Sequence, residues 1–415
     1  STIRYQIITE NTMSNLREKL AVQNWDSVLS SRDVDASYNL FHNIIDSAYC
    51  QCIPIATKEV KRRDKPWLTT ALKNSIKEKN RLYSQFLKQP CAYTSQRYKS
   101  YRNRLNSLLR SCERNYARNK IEGSDGDLKK QWATINKIIE KKNGKQDLPE
   151  TLRNNEGGAE ITGNQAIANC MNNFYVNVGP RIAAQLQTTD QNQLDSNSFI
   201  NRTRNTSLFF QPVIQQEITD ILRNLRNSAS GIDNFKPQVI KYIRESIALP
   251  LTHIVNLCFT SGKFPTKCKI STVTPAYKKG ARNLMENYRP ISVLSVFSKV
   301  IEQIIQSRLN DYLNRNSILN NKQFGFRPNH STEHAIVEAA QTINYALDTK
   351  KTTLAIFMDL SRAFDTVSYD ILLNKMSLYG IRGVALDLFK DYLSNRLQIL
   401  KYNDSFSDPL PLTYG

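Results

Sequence analysis

The sequence has 415 residues, of which 40% are hydrophobic and 23% charged, so a wholly disordered chain is excluded and roughly two or three domains are expected. Its formal net charge of +20 favours a polyanionic partner, nucleic acid before an acidic membrane surface. No run of roughly 18 uncharged apolar residues could span a membrane, the start lacks the apolar core of a signal peptide, and the cysteines form no C-x-x-C pair. We therefore expect an intracellular protein with reduced thiols, in the nucleus or the cytoplasm.

Residues 61–120 hold most of the excess positive charge, with 17 Lys or Arg against three acids. Apolar side chains recur at helical spacing on both sides of Pro90, which predicts an antiparallel helical hairpin with a narrow apolar seam and a basic outer surface. Such a surface suits nucleic-acid phosphates, and a merely solvated basic face is the alternative. The scarcity of acids available for i,i+4 pairs favours nucleic acid. The candidate nucleic-acid contacts here are Arg62, Arg63, Lys73, Lys77, Arg102 and Arg104.

The middle of the chain is less dense in apolar residues. The pattern predicts a short helix around residues 130–142 and a second helix at 165–178 that ends at Gly179 and Pro180. Residues 188–205 are rich in Gln, Asn, Thr and Ser, which is typical of a linker.

From Leu208 onward the patterns are mainly helical. They predict helices at 217–225, at 237–261 with a division near Pro250 and an end at Gly262, at 291–315, at 335–348, and at 370–379 before Gly380. Strands are predicted at 270–277 and 354–360. Helices dominate and few strands alternate with them, so the sequence indicates a mostly helical α+β fold.

Two short segments in this half carry groups suited to nucleotides. Lys278, Lys279 and Arg289 come from "PAYKKG" and "NYRPIS", and their ammonium and guanidinium groups suit the oxygens of a triphosphate. A Lys-Lys-Gly turn is also common on surfaces. In "QFGFRPNHST", Phe324 and Arg327 suit a nucleic-acid base or backbone, although the ring could equally anchor the core.

The stretch "LAIFMDLSRAFDTVSYD" places an acid inside an apolar run. Burying an unpaired carboxylate costs several kcal/mol, so Asp359 requires a cation, hydrogen-bond donors or an exposed strand end. A strand that ends near Asp359 would present the carboxylate to Mg²⁺ and substrate phosphates, with Phe364 walling the pocket. The spacing alone is weak, because Asp365 also fits a turn and Asp370 the first turn of a helix.

Taken in order, these motifs resemble the polyprotein of non-LTR (LINE-type) retrotransposons, between the endonuclease and the reverse transcriptase active site. The series is "KPWLTTALKNSIKEKNRLY", "SASGIDNFKP", "TPAYKKG", "ENYRPISVLSVFSKVIEQIIQSRL", "NNKQFGFRPNHSTEHAI" and "FMDLSRAFDTVSYDILLNKM". The resemblance extends over nearly the whole chain. It implies a basic helical region at 1–122, a helical connecting region at 123–207, and the fingers and an incomplete palm of a right-hand polymerase at 208–415.

The resemblance also implies roles for the candidate residues. Asp359 is implied to bind the two Mg²⁺ ions of nucleotidyl transfer, and Phe364 resembles the aromatic side chain beneath the sugar. Arg289, with Lys278 or Lys279, resembles the fingers groups that hold the incoming dNTP. Phe324 and Arg327 belong to an element near the template. An RNA template, a DNA primer and dNTPs are the implied partners.

Members of that family continue beyond the position of Gly415 with a "GVPQGS"-like and a "YADD"-like motif, and this sequence has neither. We therefore expect a truncated RNA-directed DNA polymerase that is inactive as this isolated chain. The alternative is a non-catalytic RNA- or DNA-binding remnant or a domesticated transposon fragment. A group II intron maturase or telomerase-like polymerase would share the palm motif but not residues 65–83.

Overall fold

A computed structural model describes residues 2–59, 65–123, 131–132, 135–136, 148–153, 158–187, 205–360 and 362–415. The chain forms two compact units: unit 1 comprises Ser1–Tyr5 and Thr57–Leu148, and unit 2 comprises Gln6–Ala56 and Pro149–Gly415. Residues 6–56 pack with the C-terminal part of the chain. The division into regions 1–122, 123–207 and 208–415 stays a prediction. The predicted linker lies almost entirely outside the described residues, as does most of the predicted helix around 130–142.

Helices account for most of the described secondary structure. They are α1 Glu10–Ala21, α2 Asp26–Leu29, α3 Val34–Cys52, α4 Thr70–Lys88, α5 Ala92–Glu122, α6 Asn164–Val176, α7 Val178–Gln187, α8 Gln215–Arg223, α9 Pro237–Tyr242, α10 Arg244–Ser261, α11 Val296–Arg315, α12 Thr332–Asp348, α13 Tyr369–Leu378 and α14 Val384–Leu393. The strands are β1 Thr2–Gln6, β2 Ile55–Glu59, β3 Thr151–Leu152, β4 Ile161–Thr162, β5 Ile270–Tyr277, β6 Tyr288–Val293, β7 Arg396–Tyr402, β8 Ser405–Phe406 and β9 Leu410–Leu412. The predicted mostly helical fold with both helices and strands is confirmed.

Unit 1 contains the predicted helical hairpin. Helices α4 and α5 run on either side of Pro90, and the side chain of Thr69 accepts a hydrogen bond from the Leu72 N–H at the start of α4. Leu72, Leu82 and Leu105 are the buried residues of the two helices. So few buried residues give a narrow apolar seam, and most of the helix surface is left to polar and basic side chains.

Unit 2 has its largest hydrophobic core among α1, α3, α9, α10 and α11. Phe41 of α3 packs edge-on against Phe297 of α11 with ring centroids 5.0 Å apart, and both rings are fully buried. Burial of such aromatic side chains stabilises the fold by about 1.5–3 kcal/mol each. The N-terminal helices are therefore part of the core beneath the C-terminal half.

The helix predicted at 165–178 is α6, which ends at Val176, and Gly179 and Pro180 lie in the first turn of α7. A proline fits there because the first N–H groups of a helix have no partner within the helix.

Two other predicted boundaries in unit 2 are wrong: the helix predicted from residue 291 begins at Val296, after β6, and the predicted division near Pro250 is absent. Pro250 lies inside α10 and is buried, and the break instead falls at Ile243. Core packing around Pro250 outweighs the cost of about 3 kcal/mol for a proline in a helix interior. The predicted end at Gly262 is confirmed, since Gly262 has φ +67°.

The main sheet is mixed and has the strand order β6-β5-β7-β8, with β9 also paired to β7. Strands β5 and β6 are antiparallel, whereas β5 and β7 are parallel, with Ile270 opposite Leu397. A parallel neighbour requires a long crossover, and here the crossover includes α11 to α14. The sheet thus joins the "TPAYKKG" region to a strand near the C-terminal end that the sequence motifs did not indicate.

Candidate active site and nucleic-acid interface

The β5–β6 hairpin brings the predicted triphosphate contacts together. Ala276 pairs with Arg289, and the Lys278 N–H donates to the Asn287 carbonyl at 2.8 Å, so the ladder continues past the end of β5. Because side chains alternate along paired strands, Lys278 and Arg289 lie on the same face of the hairpin. Both side chains are exposed, as is that of Lys279. The arrangement can hold an anion with cationic groups from two adjacent strands.

The turn of this hairpin is fixed by contacts that the sequence did not reveal. Gly280 has φ +91°, and a Cβ there would lie 2.7 Å from the Asn287 side chain, so the position requires glycine. The Tyr277 hydroxyl donates to the Gly280 carbonyl at 2.6 Å, and the Arg282 guanidinium lies 5.1 Å from the centre of the Tyr277 ring. These contacts hold the Lys-Lys-Gly turn against the end of the strand.

The "QFGFRP" segment forms an irregular loop before α12. Arg327 donates from Nη1 to the Asn320 carbonyl at 2.9 Å and is half-buried, so part of its donor capacity maintains the loop. Phe324 is half-buried with its ring centre 6.0 Å from that of His330. Ser331 accepts a hydrogen bond from the His334 N–H and caps α12. The loop thus ends on a well-defined helix start.

The predicted strand at 354–360 is not found. Residues 351–360 have no helix or strand assignment, Asp359 is exposed, and Leu354, Phe357 and Met358 are 85–96% exposed. A strand that is apolar on both faces is stable only with neighbouring strands and covered faces. Residues 354–360 are not paired with any strand of the described sheet. This run therefore lacks the pairing that would make it a strand.

The loop that follows, residues 362–368, is held by other parts of unit 2. A Cβ at Gly179 would lie 2.2 Å from the Asp365 carbonyl oxygen, so α7 approaches the loop closely. The Gly415 N–H donates to the Val367 carbonyl at 3.1 Å. Arg362 lies 5.6 Å from the Phe174 ring centre and 3.7 Å from an Asp365 oxygen. Phe364 is carried on this anchored loop.

Two of the predicted motifs meet through their aromatic rings. The ring of Phe326 contacts that of Phe364 edge-on at 5.7 Å, which joins "QFGFRP" to "AFDTV". Within the described ranges, no three His, Cys, Asp or Glu side chains gather as metal ligands. The carboxylate of Asp359 does not by itself make the two-cation site that the resemblance implies.

The basic hairpin of unit 1 carries the remaining candidate contacts. Arg62 and Arg63 lie outside the described residues. Lys77 and Arg104 are exposed, and Lys73 is half-buried. Arg102 lies 5.6 Å from the ring centre of Tyr98 and donates from Nη2 to Asn103 Oδ1 at 3.1 Å, so its guanidinium is oriented along α5.

A polar cluster that the sequence did not reveal lies where the "SASGID" turn meets the first turns of α11. Burial raises the pKa of Asp233 to about 6, raises the pKa of Glu302, and lowers the pKa of Lys299. Lys299 Nζ donates to Ser228 Oγ at 3.2 Å. A Cβ at Gly231 would lie 2.6 Å from the Ser295 nitrogen, which explains the glycine. An acid in a Gly-containing turn beside apolar residues is the sequence signal for this cluster.

Residues 277–408 match the family "Reverse transcriptase (RNA-dependent DNA polymerase)". They include Lys278, Lys279 and Arg289, the "QFGFRP" loop and the loop that carries Phe364. Over these residues the chain is similar to reverse transcriptases, and its relatives include RNA-directed DNA polymerases of non-LTR retrotransposons. In the described helices, none is both long enough and apolar enough to cross a membrane.

Relatives from insects align with much of the chain. It is 26% identical over 435 aligned residues to the "Probable RNA-directed DNA polymerase from transposon BS" of Drosophila melanogaster, covering 99% of this chain and 46% of the relative. It is 23% identical to the "RNA-directed DNA polymerase from mobile element jockey" of Drosophila funebris, covering 83% and 37%. A similar protein from "transposon X-element" of Drosophila melanogaster is 28% identical, covering 48% and 22%. The chain spans less than half the length of these relatives.

Proposed function

We propose that this chain is the fingers and first palm portion of an enzyme that copies an RNA template into DNA from a DNA primer and dNTPs. In this proposal residues 208–415 form those two subdomains, residues 1–122 are the basic nucleic-acid-binding region, and residues 123–207 connect them. An intracellular location, nuclear or cytoplasmic, belongs to the same proposal. The observation that carries it is the β5–β6 hairpin, where Lys278 and Arg289 share one exposed face within the matched family residues.

The triphosphate of the incoming dNTP is the proposed ligand of that face. Arg289 supplies a planar guanidinium for two phosphate oxygens, and Lys278 or Lys279 supplies a compact ammonium. Phe364 walls the sugar, while Phe324 and Arg327 lie near the template. Each of these roles is inferred from the resemblance of the ordered motifs to those of the family. The exposure of the cationic side chains fits contact with a ligand.

Direct binding of a dNTP tests the proposed triphosphate site. Arg289→Gln and Lys278→Gln in the 415-residue chain are each expected to weaken binding of a fluorescent dATP analogue about 10-fold, the loss of one charged hydrogen bond. Lys263→Gln removes an exposed charge elsewhere in unit 2 and is the matched control. Equal losses in all three variants would show nonspecific attraction of the anion and contradict the assignment.

Metal binding at Asp359 is the proposed role of the one predicted catalytic carboxylate. Mg²⁺ prefers carboxylate oxygens together with substrate phosphates, and Asp359 is exposed. The residues of the described ranges do not complete such a site. We propose that Asp359 binds Mg²⁺ in the complete enzyme, and that the 415-residue chain alone does not extend a primer.

A primer-extension assay tests this second part. The purified chain is incubated with a primed RNA template, dNTPs and Mg²⁺, and no extension is expected. Detectable DNA synthesis that is lost in Asp359→Asn would refute the proposal that the 415-residue chain alone does not extend a primer. Sequencing the transcript past codon 415 separates the two candidate functions: an open frame with further carboxylate motifs supports the polymerase.

A non-catalytic RNA- or DNA-binding remnant or domesticated fragment is the second candidate function. Two observations favour this second function: Asp359 is exposed, and the described residues contain no group of three potential metal ligands. A stop codon directly after position 415, together with nucleic-acid binding, would support this second function.

A further inference from the structure

One face of α5 carries arginines at regular spacing. Arg110, Arg114 and Arg118 are four residues apart, so they rise by about 6 Å per step and lie within about 80° of the helix circumference. The same face includes Asn103, Asn106 and Ser107, and an open groove of about 740 Å³ runs along it. We call these six residues the arginine face. None of the three arginines was among the contacts predicted from the sequence.

The arginine face presents donors rather than ion pairs. Arg110, Arg114 and Arg118 are exposed, and no ion pair or hydrogen bond joins them to another described residue. Helix α5 contains only two acids, and Glu113 lies 3.8 Å from Lys65. The guanidinium groups therefore keep their charge and their fork of N–H donors for a ligand from outside the helix.

The chemistry of the face favours a phosphodiester backbone. Arginine binds phosphate oxygens in a bidentate manner, and Asn and Ser add neutral donors for phosphate and sugar oxygens. The side of α5 opposite the arginine face packs against α4, where Tyr83 of α4 contacts Tyr98 of α5 with ring centres 5.1 Å apart. Tyr93 and Leu108 are the exposed large apolar side chains of α5, and they lie 15 positions apart, so they form no continuous apolar stripe for insertion into a lipid surface.

We propose that the arginine face of α5 is a backbone-binding surface for nucleic acid, with the three arginines each contacting a phosphate. This inference rests on the proposed nucleic-acid binding of the basic region and adds the surface that performs it. The three arginines extend over about 12 Å, a length along which duplex nucleic acid carries about seven phosphates. Recognition by backbone contacts of this kind does not depend on sequence.

Salt dependence of binding measures the number of phosphates contacted. Binding of the 415-residue chain to an RNA hairpin, a DNA duplex of matching sequence and a single strand is followed by fluorescence anisotropy at several KCl concentrations. The triple variant R110Q/R114Q/R118Q is expected to reduce the slope of log K against log[salt] on duplex by about 2.7, and on single strands by about 2. The three arms show which nucleic acid is preferred.

The control removes the same charge from the other end of the hairpin. K88Q/R97Q/K99Q changes three exposed side chains near Pro90 and is expected to lower the slope by less than half as much. Equal effects of the two triples would overturn the inference. A variant of the contacts predicted first, K73Q/K77Q/R102Q/R104Q, separates the two proposals: if only this variant weakens binding, the basic region binds nucleic acid but the arginine face does not.

Lysine in place of the three arginines separates charge from hydrogen-bond geometry. R110K/R114K/R118K keeps the charge, so it is expected to retain the salt slope to within about one unit while the affinity falls several-fold. Loss of binding equal to that of the glutamine triple, with unchanged helical circular dichroism, would contradict a charge-based contact. Vesicles containing phosphatidylserine are the membrane probe, and binding to them with the same dependence on the arginines would also overturn the inference.

Discussion

Phe326 and Phe364, which are 38 positions apart in the sequence, meet edge-to-face with ring centroids 5.7 Å apart and ring planes at 83°. Phe326 has φ +59°, a left-handed conformation that is uncommon for a bulky residue and that directs its ring across the loop. The contact connects the "QFGFRP" segment, proposed to lie near the template, to the loop that carries the proposed sugar contact. Aromatic pairs of this geometry contribute about 0.5–1.5 kcal/mol beyond burial.

A double-mutant cycle measures this contact. Phe326→Ala, Phe364→Ala and the double variant are compared by urea unfolding, and a coupling free energy of about 0.5–1 kcal/mol is expected. Phe357→Ala is the control, since Phe357 is 96% exposed and makes no described ring contact. A coupling of zero between Phe326 and Phe364 would show that the rings do not interact in solution.

In unit 2 the buried Lys269 forms an ion pair with the half-buried Asp391. Lys269 is 4% exposed and its Nζ lies 2.8 Å from Asp391 Oδ2, which also accepts the Phe264 N–H at 2.7 Å. Asp391→Asn leaves a buried ammonium without a counter-charge, so a loss of about 2–4 kcal/mol in unfolding free energy is expected. Arg223→Gln breaks an exposed pair with Asp220 and is expected to cost less than about 1 kcal/mol. Similar losses of unfolding free energy in the two variants would contradict the expectation that the pair with the buried lysine matters more than the exposed pair.

Gly380 is a position where any side chain should destabilise the fold. It has φ +94°, and a Cβ there would lie 2.2 Å from both the Thr206 carbonyl oxygen and the Tyr312 hydroxyl. Gly380→Ala is expected to cost about 3 kcal/mol or more, because backbone strain and overpacking act together. Gly325→Ala has open space around its Cβ and should change the midpoint of thermal unfolding little. A stable Gly380→Ala protein would contradict this packing.

Asp233 should make stability depend on pH. Burial raises its pKa to about 6 from an ordinary value near 3.8, and its Oδ2 has no partner among the described residues. The folded state therefore binds the proton more tightly than the unfolded state, and the stabilisation present below about pH 4 is lost as pH rises through 6. The loss amounts to about 2–3 kcal/mol.

Asp233→Asn tests this dependence, because the amide imitates the neutral acid. The variant should match the wild type near pH 4 and be more stable by about 2 kcal/mol at pH 8, measured by urea unfolding. The difference between the two proteins isolates Asp233 from other titrating groups such as Glu302. A difference that does not change with pH would contradict the raised pKa.

Local signals predicted much of the helical structure. Pro90 and the apolar spacing around it predicted α4 and α5, and Gly262 and Gly380 marked helix ends, because these residues act through their own backbone geometry. The predicted helix break at Pro250 is wrong, because Pro250 is buried in the core and its packing, which is not a local property, keeps it within α10. The exposed run at 354–360 shows the same limit: its composition is that of a strand, but a strand depends on neighbours that composition does not provide.

The sequence by itself determined the charge of the chain, its helical hairpin and its similarity to reverse transcriptases, because composition, periodicity and motif order can be read along the chain without a fold. Only the tertiary structure decided which residues face each other. It placed Lys278 beside Arg289 through a strand register, Phe326 against Phe364 through two loops, and the half-buried Asp233 next to the first turns of α11. Each of these contacts depends on strand pairing, on the approach of two loops or on burial, and composition and periodicity do not specify any of the three.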